Sequence, residues 1–259
     1  MGEVIAFVFG LIYGSFLNVV ILRFDDWISI IRDRSHCPNC KEQLRWYDLV
    51  PVVSFICLRA RCRYCHKPIS WQYPAVELMT AVLLAAGYWV IFVTSIFSLT
   101  MAVLAFALYV LIIGCLVVIF THDLKEMMIP DYLSYFLLII CLLFGWIMAG
   151  SLKDVLIGGL IGFLPVALLV YPSRGRWMGE GDVKIAASLG LMTAYPLSLV
   201  FLAVAFISGG AFGVLALISK KAKLKTAVPF APFLIIGGLV AFFWGYQLIN
   251  WYFGFLNVY

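Results

Sequence analysis

Apolar runs at 4–22, 75–97, 99–120, 132–149, 154–171, 196–218 and 229–254 divide this chain into segments suited to a lipid bilayer. A helix needs about 20 apolar residues to cross the hydrocarbon core. With no water there to satisfy backbone N–H and C=O groups, a run of this length spans as a helix. A shorter apolar piece, 183–194, follows Asp182. At roughly 12 residues it is short for an ordinary span and would be tilted, matched by a thinned bilayer, or re-entrant. The expected fold is all-α: a polytopic membrane helix bundle of about eight transmembrane helices. Composition agrees. Of 259 residues, 64% are hydrophobic and 12% charged, against about 45–50% and about 25% in soluble domains.

Positive charge sets the expected topology. The stretch 24–74 is rich in Lys and Arg and belongs inside, which puts the N-terminus outside. Asp123 and Lys125, then Arg174 and Arg176, then Lys220, Lys221, Lys223 and Lys225 all return inside. That parity requires 183–194 and 196–218 to be separate helices. Lys153 alone among the 18 basic residues then faces outside. Residues 1–22 read as a first transmembrane helix, not a cleaved signal, because Glu3 is the only early charge. The net charge of +5 reports topology and gives no basis for a nucleic-acid partner. The expected division is a first helix at 1–23, a cytoplasmic zinc-binding domain at 24–74, and a membrane helical domain at 75–259.

Within the inside loop stand two CxxC pairs, Cys37 with Cys40 and Cys62 with Cys65. Each pair lets two sulfurs from one tight turn face one ion, and two pairs close a tetrahedral zinc site with no open position. The site is expected to be structural, folding a loop with little apolar core of its own. His36 and His66 each adjoin a cysteine and are alternative ligands. Cys57 is either a substitute ligand or a packing residue. Cys115 and Cys141 lie in apolar runs and read as buried small hydrophobes.

Two acidic motifs sit at the ends of spans, His122-Asp123 to Pro130-Asp131 and Gly179-Glu180-Gly181-Asp182. Carboxylates at a membrane are costly and mark function. Asp123 and Asp182 are expected at one membrane depth. Two such groups close together share a proton, activate a water and protonate a leaving amine. Gly179 and Gly181 leave the backbone before Asp182 open to a substrate strand. Lys184 either orients Asp182 or snorkels to the interface. Asp131 is placed to cap the fourth span. His122 either tunes Asp123 or is a solvated loop residue. Glu77, at the start of the second span, either caps the helix or is a functional acid, and Asn18 needs a partner in the bundle. Gly10 and Gly14, and again Gly158 and Gly162, have the spacing of close helix contacts within one chain.

Over almost its whole length the chain resembles the bifunctional type IV prepilin peptidases, the GxGD aspartyl proteases of the bacterial inner membrane. The resemblance rests on Gly14-Ser15-Phe16-Leu17-Asn18 with Arg23, and on the two CxxC pairs with Trp46, Asp48, Pro51 and Ser54 between them. It continues in Tyr73-Pro74 with Val76-Glu77, Asp123 with Ile129-Pro130-Asp131, Gly179 to Lys184, and Pro229-Phe230-Ala231-Pro232-Phe233. His122 and Ala231 depart from the family's usual residues.

This resemblance implies two reactions on the cytoplasmic side. One is cleavage of the basic leader from type IV prepilins or type II secretion pseudopilins, with Asp123 and Asp182 as the dyad. The other is N-methylation of the new N-terminal residue by S-adenosylmethionine, with Glu77 assigned to methyl transfer. Pro229 would border the peptidase site. Other readings are a peptidase without methyl transfer, a transporter using the acids as a relay, and an inactive zinc scaffold.

Overall fold

The computed structural model describes residues 1–24, 27–94, 97–176, 178–219 and 228–256, and these are helical apart from turns and loops. Two compact units emerge, Met1–Ala102 and Val103–Tyr259. Lys220, Lys221, Lys223 and Lys225, expected to mark an inside loop, lie outside the described residues.

The first unit holds α1 (Gly2–Leu22), the short helices α2 (Trp27–Arg32) and α3 (Val53–Cys57), and α4 (Gln72–Tyr88), which continues as a π-helical turn at Trp89–Thr94. α1 and α4 pack along each other, and the GxxxG in α1 is the reason they can. A Cβ on Gly10 would lie 2.5 Å from the Ala81 Cα, and one on Gly14 would lie 2.7 Å from the Glu77 Cα. Only glycine lets the backbones approach so closely, which is how small residues pack helices where lipid offers no hydrophobic drive. Asn18 finds its expected partner across this contact, donating from Nδ2 to the Tyr73 carbonyl at 3.1 Å.

α5 (Leu99–Glu126) begins in the first unit and supplies most of its length to the second, which adds α6 (Asp131–Ala149), α7 (Leu152–Ser173), α8 (Glu180–Thr193), α9 (Leu197–Ile218) and α10 (Ala231–Leu256). Tyr109 of α5, Phe144 of α6 and Phe242 of α10 cluster in the core, with Tyr109 5.4 Å from Phe242 and 6.1 Å from Phe144 between ring centroids. α8 contacts α6, α7, α9 and α10. The second GxxxG serves α8: a Cβ on Gly158 would lie 2.5 Å from the Gly190 carbonyl oxygen, and Gly162 faces the Ala186 carbonyl.

Among the described residues seven helices are long and apolar enough to cross a membrane: α1, α4 with its π-turn, α5, α6, α7, α9 and α10. The shorter piece expected at 183–194 is α8, with 14 residues. At about 1.5 Å per residue it is about 21 Å long, below the ~30 Å of a hydrocarbon core. It is buried along most of its length instead, and Ser188 and Thr193 satisfy their hydroxyls within the helix, on the Lys184 and Leu189 carbonyls.

Candidate active site

Of the two aspartates of the second unit, Asp182 is carried at a helix N-terminus and Asp123 faces the N-terminus of another helix. Asp182 is the third residue of α8, and its Oδ2 reaches back to accept the Gly179 N–H at 3.1 Å. Asp123 lies in the last turn of α5, and the N–H of Ala231, the first residue of α10, donates to its carboxylate. The unpaired N–H groups and partial positive charge of a helix start favour an anion at both positions. Both side chains are nonetheless buried, Asp123 at 4% exposure and Asp182 at 6%. Asp123 Oδ2 has no hydrogen-bond partner among the described residues. A buried carboxylate oxygen left open in this way needs either a proton or a ligand.

The Asp182 carboxyl is pushed up to about 7, first by burial and second by the charge of Asp123, against the opposing Gly179 hydrogen bond. The charge of Asp123 thus reaches Asp182, so the two acids lie near enough to interact. With its carboxyl near 7, Asp182 is protonated in part of the molecules at neutral pH.

The loop joining α5 to α6 closes over this region. Met127 turns left-handed at φ 52 to end α5. His122 Nδ1 donates to the Met128 carbonyl at 2.9 Å, and its Nε2 lies 3.3 Å from a Glu126 oxygen. Ile129 then packs onto Gly181, where a Cβ would lie 2.8 Å from the Ile129 Cβ. Glycine at 181 is thus required by the neighbouring loop. Gly179 meets no such wall, for the nearest atom to its Cβ position is Asp182 Oδ2 at 3.7 Å. Lys184 pairs with Asp131 at the start of α6 at 2.5 Å and lies 4.7 Å from the centre of the Tyr135 ring. It therefore fastens α8 to α6. Pro229 stands in the extended segment just ahead of α10.

In the first unit, Cys37, Cys40, Cys62 and Cys65 bring their sulfurs within 4.8 Å of one another, a group able to hold a metal ion. His36 and His66 are not part of it. Residue for residue, the two knuckles repeat with a period of 25. The Cys37 N–H bonds the Glu42 carbonyl and the Cys62 N–H bonds the Lys67 carbonyl, each at 2.9 Å. Lys41 and His66 follow the second cysteine of each pair with φ of 61 and 57. Leu44 pairs back to Ser35, and Ile69 to Ala60, closing both turns alike. The sequence carries the same repeat as C-x-x-C-x-x-x-[LI]-x-W, ending on Trp46 and Trp71. Burial opposes the Cys37 thiolate, but the Cys40 and Asn39 N–H groups and the neighbouring thiols bring it down to about 7. Cys40 accepts the Glu42 N–H, yet burial and the thiols of Cys37 and Cys65 push it up to about 11. Held as thiolates at this spacing, the four groups would repel one another unless a cation lay among them. Cys57 is exposed, while Cys115 and Cys141 are buried as expected.

Glu77 is 6% exposed on α4. It is no cap for its own helix start. Its Oε2 accepts the Val52 N–H at 2.8 Å, and the Ser15 hydroxyl of α1 donates to it as well. Val52 pays for that contact with a left-handed φ of 61, a conformation a β-branched residue rarely takes. Sequence alone gave no hint of the Val52 partner, because nothing in its type predicts positive φ.

Two family models match the chain. One, the bacterial peptidase A24 N-terminal domain, covers residues 8–91. The other, the type IV leader peptidase family, covers residues 110–214. The prepilin leader peptidase/N-methyltransferase of Legionella pneumophila is 31% identical over 95% of this chain and 93% of its own length. That of Bacillus subtilis is 32% identical over 96% of both chains. The chain belongs to the type IV leader peptidase family. The Aeromonas hydrophila member, also named a prepilin leader peptidase/N-methyltransferase, is 31% identical over 96% of this chain. No solved structure matches it. Both halves of this leader peptidase are thus covered, the cysteine-bearing unit by one model and most of the aspartate-bearing unit by the other.

Proposed function

We propose that this protein removes the basic leader of a type IV prepilin or type II secretion pseudopilin at the cytoplasmic face of a bacterial inner membrane, and then N-methylates the exposed N-terminal residue. The observation that carries the peptidase half is the effect of the Asp123 charge on Asp182, two buried acids near enough to interact. Asp182, pushed up to about 7 by burial and then by Asp123, holds the shared proton. Asp123, held by the Ala231 N–H, is the base. It takes a proton from water as the water oxygen bonds to the scissile carbonyl carbon, and Asp182 gives its proton to the carbonyl oxygen. Collapse breaks the C–N bond, with Asp123 returning its proton to the leaving amine while Asp182 takes back a hydroxyl proton as the new carboxyl group forms. The open space before Gly179 admits the substrate backbone. Lys184, Gly181 and Pro229 act as supports, fixing α8 and the approach to α10.

The four cysteines fit a structural zinc ion. A tetrahedral zinc with ~2.3 Å Zn–S bonds sets sulfurs about 3.8 Å apart, and Cys37 Sγ lies 3.9 Å from Cys65 Sγ. The 24–74 segment is then the module that zinc folds. S-adenosylmethionine supplies an electrophilic methyl group when bound. Glu77 is the acid we assign to methyl transfer, where a buried carboxylate can hold the accepting amine and take up its proton.

The test is intact-mass analysis of a co-expressed prepilin. Loss of the leader with a gain of one methyl supports both halves. A trimmed, unmethylated product leaves the peptidase alone, and an unchanged prepilin contradicts the proposal.

A further inference from the structure

Behind Glu77 lies a cavity that the peptidase reading does not use. It measures about 510 Å³, within the ~300–1,000 Å³ of small-ligand pockets. Leu11, Ile12 and Ser15 of α1 form one wall, and Trp46, Leu49 and Val53 form the other. The lining is almost wholly apolar, with Ser15 as its one hydroxyl. That hydroxyl donates to Glu77. The second Glu77 donor, the Val52 N–H, lies between Pro51 and Val53, both of which line the cavity. The carboxylate thus stands one hydrogen bond behind the pocket wall at two points.

Three observations mark this wall as a recognition surface. Glu77 is buried with two neutral donors, and no ion pair joins it to a cationic side chain among the described residues. Such a carboxylate is short of a cation. One helical turn past Ser15, Asn18 is 2% exposed with its Oδ1 lacking any partner among the described residues. The α1 helix that forms one wall thus also carries a buried acceptor with no donor among the described residues. Finally, Val52 is held at a φ of 61 to aim its N–H at Glu77, and backbone strain of that kind persists where function requires it.

An apolar slot whose one hydroxyl, Ser15, has a buried carboxylate behind it fits an ammonium or amine that bears an apolar substituent. We propose that this pocket seats the side chain of the substrate's N-terminal residue, with Ser15 and Glu77 facing that residue's α-amino group. The inference rests on the methyl-transfer reading above. Leu11, Ile12, Leu49 and Val53 set which side chains enter, and Trp46 at 79% exposure forms the rim.

The experiment uses the full-length protein in nanodiscs and prepilins whose first mature residue is Phe, Leu, Ala or Gly. Methyl occupancy is read by mass on cleaved chains only. Ile12→Trp fills the slot, and it should cut methylation of Phe-first and Leu-first chains at least tenfold relative to Ala-first ones. Leu49→Ala enlarges the slot and should shift preference towards Phe, while Ser15→Ala should lower methylation of all four alike. An unchanged preference in both size variants overturns the proposal and marks the cavity as a slot for a lipid chain. Loss of methylation by the same factor on every substrate in both size variants also overturns it. Absence of methyl from all cleaved products of the wild type would overturn the methyl-transfer reading itself, and the pocket with it.

Discussion

The N–H of Ala231 donates to the carboxylate of Asp123, so the start of α10 holds an acid carried by the last turn of α5. This contact gives the proline-flanked segment at 229–233 a physical role. Pro232 sits in the first turn of α10, where a missing N–H costs nothing, and Ala231 keeps its N–H free for Asp123. Replacing Ala231 by Pro should leave the helix start intact and remove that donor. A hydrogen bond to a charged group is worth about 1.5–3 kcal/mol, so cleavage should slow roughly 10- to 100-fold. Steady-state rates on a purified prepilin, with helix content followed by circular dichroism, check this.

The pH profile follows from Asp182. Its carboxyl is raised to about 7, so the pair keeps its shared proton below that pH and loses it above. Cleavage should therefore decline with a single-proton slope as pH rises through about 7. Gly179→Pro deletes the N–H that holds Asp182 down, so its decline should move to higher pH. Rate measurements across the alkaline range in both proteins decide the point.

Gly181 is fixed by packing. With the Ile129 Cβ 2.8 Å from its Cβ position, Gly181→Ala overpacks the loop at a cost of about 1–3 kcal/mol. The melting temperature and cleavage should both fall. Adding Ile129→Gly, which removes that Cβ, should restore part of each, and a double-mutant cycle measures that coupling.

Zinc removal should act on the first unit. Cys37→Ser or Cys62→Ser should lower metal content and loosen 24–74, read by elemental analysis and by faster proteolysis of that segment. A metal-free wild type with the segment equally protected would contradict the zinc assignment.

Much of this was legible in the sequence, because lipid leaves so few options. The apolar runs at 4–22, 132–149 and 196–218 became α1, α6 and α9 within a few residues at each end. α5 ran on past its apolar run to Glu126, so Asp123 sits on the helix itself. Apolar length records where lipid ends, and a helix continues beyond it until a residue such as Met127 turns left-handed. The four cysteines were readable from spacing alone. The period of 25 that unites their knuckles was also in the sequence, but a CxxC search looks only at cysteines and passes over Leu44, Ile69, Trp46 and Trp71. The partners of Lys184 and Glu77 were not legible. Asp131 and Val52 reach them through tertiary packing, which no local pattern encodes.

Everything in the peptidase account turns on Asp123 and Asp182 acting together. The most direct measurement is intact mass of a prepilin incubated with wild type, Asp123→Asn and Asp182→Asn, each variant first shown to keep its helix content and metal. The account predicts a trimmed chain with wild type and an untouched leader with both variants. A trimmed chain from either folded variant would contradict it.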